Sequence, residues 1–144
     1  MTEFDIKQAL SYQLGQFLLT YPIDVVDSNI TYTPVNGISF LEIFFIPGDK
    51  FQREFGTNAQ NRISGIYQID INIESNKGEG EIKEIVDALD PFFRRGTHII
   101  YTNPDLEEVR VTIEKFYLSR KVVQDNPNGY SKVMNVVWRS DILN

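Results

Sequence analysis

Apolar residues near the start of the chain recur at three- and four-residue spacing. Ile6, Ala9, Leu10, Leu14, Phe17 and Leu18 therefore line one side of a helix over residues 3–20. Thr2 with Asp5 three positions on has the form of a capping box. Tyr21-Pro22 ends the helix, because a residue before proline is pushed away from helical angles. The period then drops to two. Residues 29–33 read as a short strand, followed by the turn chemistry of Pro34-Val35-Asn36-Gly37. Residues 38–46 are apolar at both parities, with Phe40, Phe44 and Ile46 on one side and Leu41, Ile43 and Phe45 on the other. That pattern predicts a central strand covered on both faces. Pro47-Gly48-Asp49 is expected to end it, with residues 51–55 pairing back as a hairpin arm and 56–61 forming a polar loop.

Residues 65–75 form the clearest strand: Tyr67, Ile69, Ile71 and Ile73 alternate with Gln68, Asp70, Asn72 and Glu74. Ile82, Ile85, Val86 and Leu89 return to the helical period. Pro91 is expected to kink or restart that helix, with Phe92 and Phe93 still on its apolar side and Arg94-Arg95-Gly96 as the stop. Three strands close the chain, over 97–101, 109–120 and 130–142, the last two joined across 124–129 as a long hairpin. The order is helix, four strands, helix, three strands. It implies an α+β fold in a single domain over residues 1–144, with a mainly antiparallel sheet, two helices on one face and long β-hairpin arms.

The 144 residues suit one core, and 42% hydrophobic with 24% charged residues is ordinary for a globular protein. The chain has no Cys, which excludes disulfides, thiolate metal sites and cysteine nucleophiles. His98 is its single histidine, so a His-based metal site or proton relay lacks partners. Fourteen basic against twenty acidic residues give 14 − 20 = −6, unsuited to non-specific duplex binding. No apolar run reaches the roughly 18 residues needed to cross a bilayer, and the start Met1-Thr2-Glu3-Phe4-Asp5 is acidic where a secretory signal is basic. No membrane partner is expected, and the protein is expected to act where it is made.

Candidate chemistry is sparse. Gly78-Glu79-Gly80 before a helix has the outline of a phosphate cradle, but Glu79 and Glu81 occupy the place of the anion and no Walker lysine follows. Glu42 is the one charge in an apolar strand, and Asp70 is a further acid, yet neither has a catalytic partner at a readable spacing. No catalytic residue, cofactor or metal site is assigned. Trp138 alternates with Met134 and Val136 and reads as core.

Charge is unevenly placed. Residues 70–108 hold ten acids and four bases, a balance of 4 − 10 = −6, while residues 109–144 hold six bases and three acids, 6 − 3 = +3. Acidic and basic surfaces on one small domain suit head-to-tail self-association. Glu84 and Asp87 on the second helix and Arg120 and Lys121 in the C-terminal hairpin are the candidate contacts. A second candidate interface is the arm, where Phe51, Arg53, Phe55, Asn58 and Arg62 combine apolar and Arg anchors with a polar tip.

An ordered set of segments resembles a family of small bacteriophage proteins, the tail terminators and their tail-completion relatives. The set comprises Tyr21-Pro22, residues 29–34 (Asn-Ile-Thr-Tyr-Thr-Pro), residues 40–48 ending in Pro-Gly, Phe55-Gly56 and residues 62–71. It closes with Gly78-Glu79-Gly80 and Phe93-Arg94-Arg95-Gly96. Gly65-Ile66-Tyr67-Gln68-Ile69-Asp70 followed by Gly-x-Gly is its most specific part. The resemblance implies a non-enzymatic virion protein that forms a homo-oligomeric ring, in related proteins a hexamer. Such a ring sits on the head-proximal end of the tail tube, stops its polymerisation and meets the neck of the capsid. Its implied partners are further copies of itself, the tube protein and a neck or head-completion protein, with DNA only passing through the lumen. Its implied places are the virion tail and, during assembly, the host cytoplasm. A head–tail joining protein, a monomeric ligand-binding domain walled by residues 38–46, and a hydrolase using Glu42 or Asp70 are the competing readings.

Overall fold

The computed structural model describes residues 3–27, 39–52, 60–74, 78–120 and 129–143. Their elements run α1 (Glu3–Thr20), β1 (Asp24–Asp27), β2 (Phe40–Gln52), β3 (Gln60–Glu74), α2 (Gly78–Phe93), β4 (His98–Thr102), β5 (Glu108–Arg120) and β6 (Gly129–Leu143). The six strands form one sheet in the order β1-β2-β3-β6-β5-β4, antiparallel except for the parallel pair β1–β2.

Helix α1 buries Ile6, Ala9, Leu10, Leu14 and Phe17, the spacing that its sequence presents, and Glu3 and Asp5 sit favourably in its first turn. Helix α2 buries Ile82, Ile85, Leu89 and Phe93. The two helices meet where Gln13 Nε2 donates to Phe92 O at 2.8 Å and Phe17 packs edge-on against Phe92. Both lie on the same side of the sheet, α1 against β4 and β5 and α2 against β3, β5 and β6.

The sheet wraps around α1. Lys7 Nζ lies 3.1 Å from Asp27 Oδ2 on β1, Ser11 hydrogen-bonds Tyr67 on β3, and Tyr12 pairs with Tyr101 on β4 at 6.0 Å between rings. Lys7 to Tyr12 spans about 8 Å of helix. Strands β1 and β4 are the two edges, which in a flat six-stranded sheet would be about 24 Å apart. A short stretch of helix touches both, so the helix-bearing face is concave and the opposite face convex. The concave side holds the core, with Trp138, Tyr67, Phe17 and Phe93 as its largest fully buried side chains.

Several expectations are corrected. Pro47-Gly48-Asp49 does not end the strand: β2 runs on through Phe51 and Gln52, and its pairing with β3 shifts register between Pro47 and Lys50. A bulge absorbs a proline, which cannot donate to the ladder. Phe51 therefore belongs to β2 rather than to a separate arm, and β3 starts at Gln60 instead of Gly65. Strand β2 is covered on one face only: Leu41 and Ile43 are buried, whereas Phe40 and Phe44 are half-exposed and Ile46 is exposed. Helix α2 passes through Pro91 to Phe93 without a restart. Pro91 lies in the last turn, where the lost N–H removes one bond and no further helix depends on it. The parallel edge strand β1, at four residues, is too short for a period to mark it in the sequence, and the strand expected over 29–33 lies outside the described residues. The Arg94-Arg95-Gly96 stop is as expected, with Gly96 at φ 88° where a side chain would be strained.

Candidate assembly surfaces

The convex face of the sheet is uncovered by either helix, and strand register sets what it displays. One row across it reads Glu42–Asp70–Val133–Ser119, and the next Phe44–Gln68–Asn135–Tyr117. Gln68 Nε2 donates to Asp70 Oδ1 at 2.9 Å, Ser131 Oγ to Asn72 Oδ1 at 2.7 Å, and Asn135 Nδ2 to Ser119 Oγ at 2.9 Å. These bonds hold a polar band in place, which is why Asp70, only 3% exposed, is tolerated on this face.

The adjoining row is apolar: Ile46–Ile66–Val137, ending at Lys115. Ile46 is exposed, Ile66 and Val137 are half-exposed, and Lys115 is exposed. Both register shifts in the sheet fall at the ends of this row, between Pro47 and Lys50 on β2 and between Ile113 and Lys115 on β5. The following rows are tied by ion pairs. Arg139 Nη1 donates to Glu114 Oε1 at 3.0 Å, and Arg62 Nε to Asp141 Oδ1 at 2.9 Å. The hydrogen bond to Asp141 raises the pKa of Arg62 above its ordinary value.

A third feature is the β4–β5 turn. Leu106 N donates to Asn103 O at 3.0 Å, Asn103 N to Glu107 O at 3.0 Å, and Glu107 N to Asn103 Oδ1 at 2.8 Å. Asn103 is buried, and its carbonyl and side chain anchor the turn. At its tip Leu106 is 85% exposed with φ 63°, the left-handed region that a leucine rarely adopts. Neither the apolar row nor this tip has a period or motif that marks it in the sequence. The one readable signal was Asn103-Pro104-Asp105, ordinary turn chemistry.

The expected interface residues divide. Arg53, Phe55, Asn58 and Lys121 lie outside the described residues, and so do the side chains of Phe51 and Arg120. Phe51 is paired in register with Arg62 on β3, and Arg120 with Lys132 on β6. Arg62 is engaged within the chain by Asp141. Glu84 and Asp87 are exposed on α2. Burial first, and then the carboxylates of Glu84 and Glu81, hold the Tyr21 phenol above its ordinary pKa, so this end of α2 carries a negative field.

The other candidate groups are placed as follows. Glu42 is paired directly opposite Asp70, a proximity that sequence spacing did not show. His98 is exposed on the edge strand β4, its Nδ1 3.1 Å from Thr112 Oγ1, four strands from β2 and far from both acids. Gly78 and Gly80 form the first turn of α2, and Ser39 Oγ donates to Glu81 Oε1 there at 2.7 Å. Trp138 is fully buried, as expected. Among the described residues no three His, Asp or Glu side chains are grouped to hold a metal ion, and no helix is long and apolar enough to cross a membrane.

Comparison with known proteins gives the arrangement a context. A solved protein structure superposes with a TM-score of 0.66 at 14% sequence identity, covering 100% of this chain and 96% of that chain, which establishes a shared fold. No curated protein matches the sequence. The family model for the phage tail terminator protein matches residues 5–128, from the first turn of α1 into the connection between β5 and β6. That span takes in the convex rows of β2 and β3, the whole of α2 and the β4–β5 turn. The chain thus belongs to the phage tail terminator family, structural proteins of the bacteriophage tail.

Proposed function

We propose that this protein is a tail terminator subunit that forms a homo-oligomeric ring, hexameric as the family resemblance implies, on the head-proximal end of the tail tube. The observation that carries the reading is the family match over residues 5–128. The mechanism is steric and interfacial. The ring docks through one face, buries the surface that the next ring of tube protein would need, and offers another face to a neck or head-completion protein. The molecule supplies suitable material: a convex sheet face that neither helix covers, with an apolar row, and charge divided between an acidic middle and a basic C-terminal third. Net negative charge lets DNA pass the lumen without backbone contacts, since like charges repel. Assembly takes place in the host cytoplasm, and the finished ring remains in the virion tail.

The test is electron microscopy of polymerising tube protein with and without this protein. Tubes that stop growing and carry a ring at one end are the expected result. Tubes of unchanged length with no terminal density overturn the reading, and binding to neck protein alone reassigns the chain to head–tail joining.

A further inference from the structure

We propose that the β4–β5 turn is a plug by which one copy of this chain holds the next: Leu106 of one subunit seats on the Ile46–Ile66–Val137 row of its neighbour, with Asp105 facing Lys115. This rests on the ring reading and specifies its subunit contact.

The argument starts from what stability does not explain. A leucine at φ 63° is strained, and glycine or asparagine would suit the position better. Its side chain is 85% exposed, so it contributes no burial within the subunit. Yet the turn that presents it is firmly built, with four hydrogen bonds converging on buried Asn103. Strain and exposure combined on a rigid mount mark a side chain held out for something else to cover.

The acceptor is argued from the same molecule. The apolar row lies on β2, β3 and β6, while the turn lies at the β4–β5 edge, so the two are different patches of one surface. A contact between different patches on identical copies is heterologous, the kind that closes into rings. Charge matches as well. Asp105 and Glu107 flank the leucine, and the row ends at exposed Lys115, which has no ion pair among the described residues. Both bulges of the sheet bracket this row, and bulges recur where a strand is re-aimed for a contact.

Because the chain has no cysteine, it can be tested by engineered cross-linking. Under mild oxidation, full-length protein carrying both Leu106→Cys and Ile66→Cys should give a ladder of covalent multimers, and either single variant at most a dimer. Leu106→Glu should weaken self-association about ten- to a hundredfold by sedimentation, with an unchanged circular dichroism spectrum. Asp105→Lys and Lys115→Glu should each weaken it and together restore it. No ladder from the double-cysteine protein, or Leu106→Glu assembling like wild type, overturns the contact while tube capping by wild type keeps the ring reading. Leu106→Glu rings of normal mass that fail to cap give the turn to the tube protein and overturn the contact too. Wild-type protein that neither self-associates nor caps tubes overturns both.

Discussion

Phe45 and Trp138 stack nearly parallel, ring centroids 5.5 Å apart and planes within 7°, although strand β3 runs between theirs. Where the rings meet, β3 carries Gly65, in register with Trp138 on one side and Pro47 on the other. A Cβ at Gly65 would stand 2.7 Å from Trp138 Cζ2 and collide with the Ile46 carbonyl as well. The missing side chain is thus the condition for the stack. Gly65→Ala is expected to cost about 1–3 kcal/mol and Trp138→Ala about 3–5 kcal/mol, read by urea denaturation. A loss under about 0.5 kcal/mol for Gly65→Ala would show that the site relaxes freely.

Tyr67 makes stability depend on alkaline pH. Burial pushes its phenol up to about 12 from 10.0, against an opposing hydrogen bond with Ser11. The folded-state pKa lies above the unfolded one, so the unfolded chain gives up the proton first. The contribution is complete below pH 10 and is lost as pH rises toward 12, in total about 2–3 kcal/mol. Tyr67→Phe should flatten that part of the profile. An unchanged decline in the variant would assign it to other groups.

Three polar groups with a possible chemical role are expected to be dispensable for assembly. Glu42→Gln, Asp70→Asn and His98→Ala should each yield folded protein that caps tubes at the wild-type rate. His98 is exposed and its removal should change stability by less than about 0.5 kcal/mol. A folded variant that forms rings yet blocks a chemical step would contradict the structural role.

In the proposed ring, the acidic second helix of one subunit facing the basic C-terminal hairpin of the next should act on assembly rate. Lys at both Glu84 and Asp87 is expected to slow ring closure, and Glu at both Arg120 and Lys121 in the same chain to restore part of it. Raising salt from 0.1 to 1 M shortens the Debye length from about 10 to about 3 Å and should slow assembly more than it dissolves finished rings. Stopped-flow light scattering that shows neither salt dependence nor rescue removes electrostatic assistance, leaving the apolar contacts to drive closure.

The connection between β2 and β3 is the remaining candidate for the tube contact. Replacing residues 54–58 with a two-residue turn should preserve the β2–β3 pairing, since Phe51↔Arg62 and Gln52↔Asn61 lie before it. Tube capping, scored by tube length in micrographs, is expected to be lost while ring mass is kept. Normal capping would show that Phe55 and Asn58 make no essential contact.

The sequence by itself determined the local elements wherever a period was long and clean. Helix α1, the alternation of β3, the closing strands β5 and β6 and the glycine stop after α2 were all legible, because each depends on residues within one or two turns or repeats. Family membership was legible too, through short segments in a fixed order. Tertiary structure alone decided what depends on partners far along the chain. Pro47-Gly48 reads locally as an end, but β3 goes on pairing past it, with Ile63, Arg62 and Asn61 opposite Lys50, Phe51 and Gln52, so the strand bulges instead of stopping. The double apolar character of 38–46 suggested cover on both sides, yet among the described residues both helices lie on one side of a curled sheet and neither covers the other. Glu42 faces Asp70, and Ile46, Ile66 and Val137 form a row, only because register aligns three strands. Leu106 takes its left-handed angle because hydrogen bonds from Asn103 and Glu107 outweigh its own preference. Local preference is worth about 1 kcal/mol per residue, and long-range pairing and burial together exceed it.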